Sequence, residues 1–152
     1  EERNKQQKRI LPEKMRKIFG EDLTGVVLGV WGLAFKPGTD DMREASSLVL
    51  IEDVINRGAK VQAYDPASME VARHMVPKQW ITDGKLVLTD HQYDALKGVD
   101  ALALVTEWKP FCYPDISAMK NLMRKHVILD GRNQYDPVQF RDAGFDYYGI
   151  GR

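Results

Sequence analysis

The segment that most constrains this chain is Val26–Trp31 (VVLGVW), a continuous apolar run with no polar face. A strand wet on one side alternates apolar and polar residues. An unbroken run belongs inside a sheet that is covered on both faces. The segments after it keep to that plan. Leu48, Ile51, Val54 and Ile55 form the stripe of an amphipathic helix, which Ser46 or Ser47 is placed to cap and Gly58 to close. Lys60–Tyr64 (KVQAY) is a second strand, ending at Asp65-Pro66. Together these segments make one strand–helix–strand unit.

The alternation continues to the end of the chain. Helices are expected over 67–76, 91–97, 115–125 and 137–143, and strands over 86–89, 101–105, 127–129 and 146–150. Before the first strand, Ile10, Leu11, Met15, Ile18 and Phe19 recur at helical spacing over 1–19, and Gly20 ends that helix. Pro12 belongs to a first turn or marks a kink between two helical pieces. The pattern predicts an α/β fold. It is a Rossmann-like three-layer sandwich, with a mainly parallel sheet of about five or six strands preceded by an N-terminal helix. The chain enters this helical pattern abruptly, so Glu1 is not expected to be a natural amino terminus.

Lys+Arg and Asp+Glu both number 22. Without a basic excess, no global field favours nucleic acid or an anionic membrane, and an anionic ligand must be held by a few well-placed cations. No apolar run approaches the roughly 18 residues of a membrane helix. The lone Cys112 forms no internal disulfide and fits a reducing, cytoplasmic setting.

Ligands of open parallel sheets bind beyond the carboxyl ends of the strands, where strand order reverses. Leu33–Ser47, Thr106–Pro110 and Asp130–Asn133 lie at such ends. A dinucleotide fingerprint needs G-x-G-x-x-G between strand and helix. Here the glycines are Gly25, Gly29 and Gly32, and a long loop replaces the tight turn. Gly149-Ile150-Gly151 has the G-x-G spacing but no following helix. NAD bound through a standard fingerprint is therefore rejected for this segment. The loop does offer Lys36 and Arg43 near a helix amino end, a combination that favours phosphate. Equally open from spacing alone is a solvated role, neutralised by Asp40, Asp41 and Glu44. Arg132, after Gly131, is placed to turn over the sheet edge and fork onto a phosphate or carboxylate; the alternative is a structural pair with Asp130 or Asp136. Asp65 reads as a turn starter, Trp108 as a packing anchor and Cys112 as a buried, inert thiol. His74, His91 and His126 lack metal-ligand spacing.

Taken with Gly32–Ser47 (GLAFKPGTDDMREASS), the segments Tyr64-Asp65-Pro66, Thr106-Glu107-Trp108, Asp130-Gly131-Arg132-Asn133 and Gly149-Ile150-Gly151-Arg152 resemble the carboxyl-terminal, UDP-binding domain of the nucleotide-sugar 6-dehydrogenases, the UDP-glucose/GDP-mannose dehydrogenase family. The resemblance covers essentially the whole chain. Residues 1–20, with Asn4 and Gln7, are similar to the tail of that family's central connecting helix, leaving 21–152 as the nucleotide-sugar-binding domain.

The resemblance implies oxidation of UDP-glucose to UDP-glucuronate with two NAD, the fingerprint and the nucleophilic cysteine both belonging to a separate amino-terminal domain. It implies that Phe35, Lys36 and Arg132 contact the nucleotide sugar, that Arg43 reaches NAD phosphate across the cleft, and that homodimers form around the central helix. Neither the fingerprint nor the cysteine motif is present here, so the chain alone is expected to be inactive. Ser46 stands where relatives often carry proline. GDP-mannose and UDP-N-acetylmannosamine dehydrogenases share much of the Gly32–Ser47 loop, whereas the Thr-Glu-Trp and Asp-Gly-Arg-Asn segments are more similar to the UDP-glucose branch. A stand-alone nucleotide-binding or dimerisation module is the alternative of a different class.

Overall fold

The computed structural model describes residues 2–34, 36–42 and 45–151, with side chains from Lys8 onward. Helix α1 (Glu2–Phe19) runs unbroken through Pro12, as one helix and not two. Gly20 closes it, its N–H bonding to Arg16 O at 2.8 Å. The strands are β1 (Val27–Trp31), β2 (Lys60–Tyr64), β3 (Leu86–Leu88), β4 (Ala101–Leu104), β5 (Val127–Asp130) and β6 (Asp146–Gly149). They form a six-stranded sheet in the order β3-β2-β1-β4-β5-β6, and every pairing is parallel.

Alternate side chains along the central strands enter two separate cores, which is why these strands read as unbroken apolar runs. Leu28, Val30, Ala101, Ala103 and Leu129 pack with Leu11 and Met15 of α1 and with Leu50, Ile51 and Val54 of α2 (Ser46–Asn56). Trp31, Leu102, Leu104 and Ile128 face the other way, onto Phe111, Met119, Phe140 and Tyr147. The result is the three-layer α/β sandwich expected.

Among the described residues the remaining helices are α3 (Met69–Met75), α4 (Lys78–Thr82), α5 (Lys109–Cys112), α6 (Ile116–Leu122) and α7 (Pro137–Asp142), with a 3-10 turn at Tyr93–Leu96. The one-turn helices α4 and α5 are too short to carry a periodic signal, and the sequence reading missed both. Helix α6 stops short of the expected 125. Past Leu122 the chain is captured by the segment leading into β4: Arg124 N donates to Val99 O at 2.8 Å and its guanidinium grips Asp100. The cap of α2 also differs from expectation. Ala45 is the N-cap with no side-chain cap bond, Ser46 is the first helical residue, and the buried Ser47 Oγ donates to Leu33 O at 2.6 Å. Gly58 follows the C-cap residue Arg57, as anticipated.

Candidate functional site

Strand order reverses between β1 and β4, so the crevice of this sheet opens beyond Trp31 and Leu104. A cleft of about 300 Å³ lies there. Ile10 and Leu11 of α1, Ser46 at the head of α2, Val105 beyond β4, Gly131 to Asn133 beyond β5 and Ile150 beyond β6 line it. The participation of α1 was not anticipated, because a helix preceding the first strand carries no signal that it folds back over the strand exits.

Close main-chain approach at two glycines shapes the site. Gly32 holds φ +96°, and a Cβ there would sit 2.5 Å from Thr106 N and Cβ. A Cβ on Gly131 would lie 2.8 Å from Leu104 O and 3.0 Å from Leu11 Cδ1. Both loops therefore press against the β4 exit, so the absence of a side chain at each glycine is used for close packing.

Asp65 occupies the position of a ribose-binding acid in a dinucleotide fold, but here it is fully buried and turned inward. Its Oδ2 accepts from Leu33 N at 2.7 Å, Ala34 N at 3.1 Å and Trp108 Nε1 at 3.3 Å. Its Oδ1 accepts from Ala67 N at 2.8 Å and Ser68 N at 2.9 Å. The turn-starting role expected of Asp65 and the anchoring role of Trp108 are both present, joined in one network. With this acid consumed by main-chain donors and no glycine turn at β1, the described residues do not fit an NAD held by this sheet.

Asp130, also fully buried, organises the β5 exit. It accepts from Arg132 N at 3.1 Å, Tyr135 N at 2.8 Å and Tyr147 Oη at 2.7 Å. The Arg132 guanidinium pairs with neither Asp130 nor Asp136. Its Nε donates to Glu107 Oε2, a partner the sequence reading did not consider, while Asp136 caps α7 through Val138 N. Asn133 exchanges two bonds with Ile150, Nδ2 to O at 2.8 Å and N to Oδ1 at 2.7 Å, which ties the β5 and β6 exits together.

Lys36 is exposed in the β1–α2 loop and, among the described residues, makes no ion pair with Asp40 or Asp41. Among those residues the cleft lining includes Arg132 and not Lys36. Phe35 and Arg43 lie outside the described residues, as do the side chains of Asn4 and Gln7. The head of α2 carries no acidic residue in its first turn and no side-chain cap, so its amino end keeps its positive character toward the cleft at Ser46. Cys112 is partly exposed and not fully buried; burial, with Glu107 and Asp130 nearby, pushes its thiol pKa up, away from nucleophile chemistry. Among the described residues there is no group of side chains suited to a metal ion, and no helix is long and apolar enough to cross a membrane.

The family described as UDP-glucose/GDP-mannose dehydrogenase, UDP binding domain, matches residues 29–137. The chain belongs to this family. It is 44% identical over 152 residues to the UDP-glucose 6-dehydrogenase of Pseudomonas aeruginosa, covering 100% of this chain and 33% of that protein. It is 34% identical over 149 residues to the UDP-glucose 6-dehydrogenase YwqF of Bacillus subtilis, covering 98% of this chain and 32% of that one. The chain thus spans about a third of the length of the curated relatives it matches. Among solved structures, a UDP-glucose dehydrogenase from the hyperthermophilic archaeon Pyrobaculum islandicum is similar with a TM-score of 0.75 and 27% identity, covering 96% of this chain and 30% of that one. The family match begins at Gly29 within β1 and includes the loops that carry Lys36, Glu107 and Arg132.

Proposed function

We propose that this chain is the UDP-sugar-binding domain of an NAD-dependent, cytoplasmic UDP-glucose 6-dehydrogenase, which converts UDP-glucose and two NAD to UDP-glucuronate. The observation that carries the reading is the 44% identity to a UDP-glucose 6-dehydrogenase along the entire chain. The strand-end cleft with Arg132 at its lining supports it, because a charge-balanced domain grips a diphosphate through a few local cations. In this reading Phe35, Lys36 and Arg132 contact the nucleotide sugar, and Arg43 reaches the phosphate of NAD held by a separate amino-terminal domain. Residues 1–20 are the tail of the connecting helix around which the complete enzyme dimerises, and 21–152 form the binding domain.

The test is kinetic, in the complete dehydrogenase. Lys36→Ala and Arg132→Ala should chiefly raise the KM for UDP-glucose, and Arg43→Ala the KM for NAD. Each removes a charge-assisted hydrogen bond to phosphate, a loss of about 1.5–3 kcal/mol or roughly ten- to a hundredfold. Unchanged apparent affinities for both ligands in all three variants refute the assignment. The isolated chain should produce no NADH from UDP-glucose and NAD.

A further inference from the structure

Three consecutive residues beyond β4 each reach a different strand exit, two beside β4 in the sheet and one a strand farther away. Thr106 Oγ1 donates to Ala34 O at 2.7 Å, beyond β1. Glu107 accepts from Arg132 Nε, beyond β5. Trp108 Nε1 donates to Asp65 Oδ2 at 3.3 Å, beyond β2. This tripeptide therefore sets how the loops that carry the cleft's polar groups sit relative to one another.

Glu107 has the least structural work of the three. Its ion pair with Arg132 is partly open to water, with side-chain exposures of 26% and 42%, so it contributes little to folding. Its geometry matters more. The carboxylate takes the Nε side of the guanidinium, and among the described residues the two terminal nitrogens of Arg132 make no hydrogen bond. Those terminal nitrogens form the edge that can fork onto a phosphate. The Arg132 main chain is already fixed by Asp130, so Glu107 acts on the remaining freedom, the side-chain torsions. Holding a long cation in place before the ligand arrives lowers the ordering cost of binding.

We propose that Glu107 is a positioning residue that holds Arg132 ready for the substrate's diphosphate. The proposal rests on the assignment of Arg132 to that diphosphate. The experiment compares Glu107→Ala, Glu107→Gln, Arg132→Ala and the Glu107→Ala/Arg132→Ala double variant of the complete dehydrogenase. Calorimetry supplies the Kd for UDP, and steady-state kinetics supply kcat and KM for UDP-glucose.

Glu107→Ala should raise Kd and KM by about two- to tenfold, the range expected for freeing one side chain. kcat should stay within about twofold, because ground-state and transition-state binding are weakened together. Glu107→Gln keeps an acceptor for Nε and should recover part of the loss. The double variant should bind no worse than Arg132→Ala alone. If Arg132→Ala is impaired while Glu107→Ala matches the parent or binds UDP more tightly, the positioning role is overturned and the diphosphate assignment stands. Single effects that multiply in the double variant also overturn it. An unimpaired Arg132→Ala overturns both.

Discussion

Replacing Asp65 with asparagine changes few atoms yet should cost more than most surface changes. Every partner recorded for the carboxylate is a donor: the N–H groups of Leu33, Ala34, Ala67 and Ser68, and Trp108 Nε1. An amide offers one acceptor oxygen and one NH₂ group. The least damaging orientation keeps the oxygen toward Leu33, Ala34 and Trp108, so the NH₂ opposes the N–H groups of Ala67 and Ser68. Ser68 is buried, and losing its bond to a charged acceptor costs about 1.5–3 kcal/mol; Ala67 is exposed and recovers water, for about 0.5–1.5 kcal/mol. The sum is a destabilisation of about 2–4.5 kcal/mol.

The assay is equilibrium urea unfolding of the chain, followed by tryptophan fluorescence and far-UV circular dichroism. With an m-value of about 2 kcal/mol/M, the midpoint should fall by roughly 1–2 M at unchanged m. Asp65→Ala, which leaves all these donors without the acceptor, should fall further. The control is Asp83→Asn, at an exposed carboxylate that accepts only from Gln79 Nε2 among the described residues, and it should stay within about 0.5 kcal/mol of the parent. An Asp65→Asn midpoint within about 0.2 M of the parent would falsify the view that this acid clamps the strand exits.

Three further outcomes follow from the same geometry. Burial opposes the charge on Asp100, but the bonds from Arg124 and Val27 N, with Lys125 adding positive charge nearby, hold its carboxyl below the usual carboxylate range. A lowered native pKa adds stability that is present above the unfolded value of about 3.9 and is lost as pH falls through the lower native one. Urea midpoints across pH 3–6 should therefore decline more shallowly in Arg124→Ala than in the parent, and parallel profiles would refute this. Gly131→Ala forces a Cβ against Leu104 O and Leu11 Cδ1, and should destabilise by about 1–3 kcal/mol in the same urea assay. Ser46→Pro should be neutral or raise the melting temperature by roughly 1–3 °C, since Ser46 is the first residue of α2 and Ala45 already holds φ −66° and ψ 139°, a conformation compatible with a following proline. A drop of several degrees in a thermal melt counts against that assignment of the helix start.

The fold was readable from the sequence because its signals are local and periodic. Val26–Trp31 and Ala101–Val105 carry no polar face because both sides of the sheet are covered, and the stripe through Leu48, Ile51, Val54 and Ile55 marks a helix whatever it packs against. Gly58 closes that helix through a bond to a residue a few positions away. The Gly32–Ser47 loop and Arg132 could likewise be singled out, because a strand end is visible in the chain.

Only the tertiary structure decided what these residues meet. Asp65 and Trp108 stand 43 positions apart, and Arg132 and Glu107 25 apart, so no spacing rule pairs them. A parallel sheet brings such residues together because each crossover returns the chain to the same edge, placing successive strand exits side by side. That is why Asp65, in the position of a cofactor-binding acid, became an internal clamp, and why Arg132 acquired Glu107 in place of the aspartates beside it in sequence.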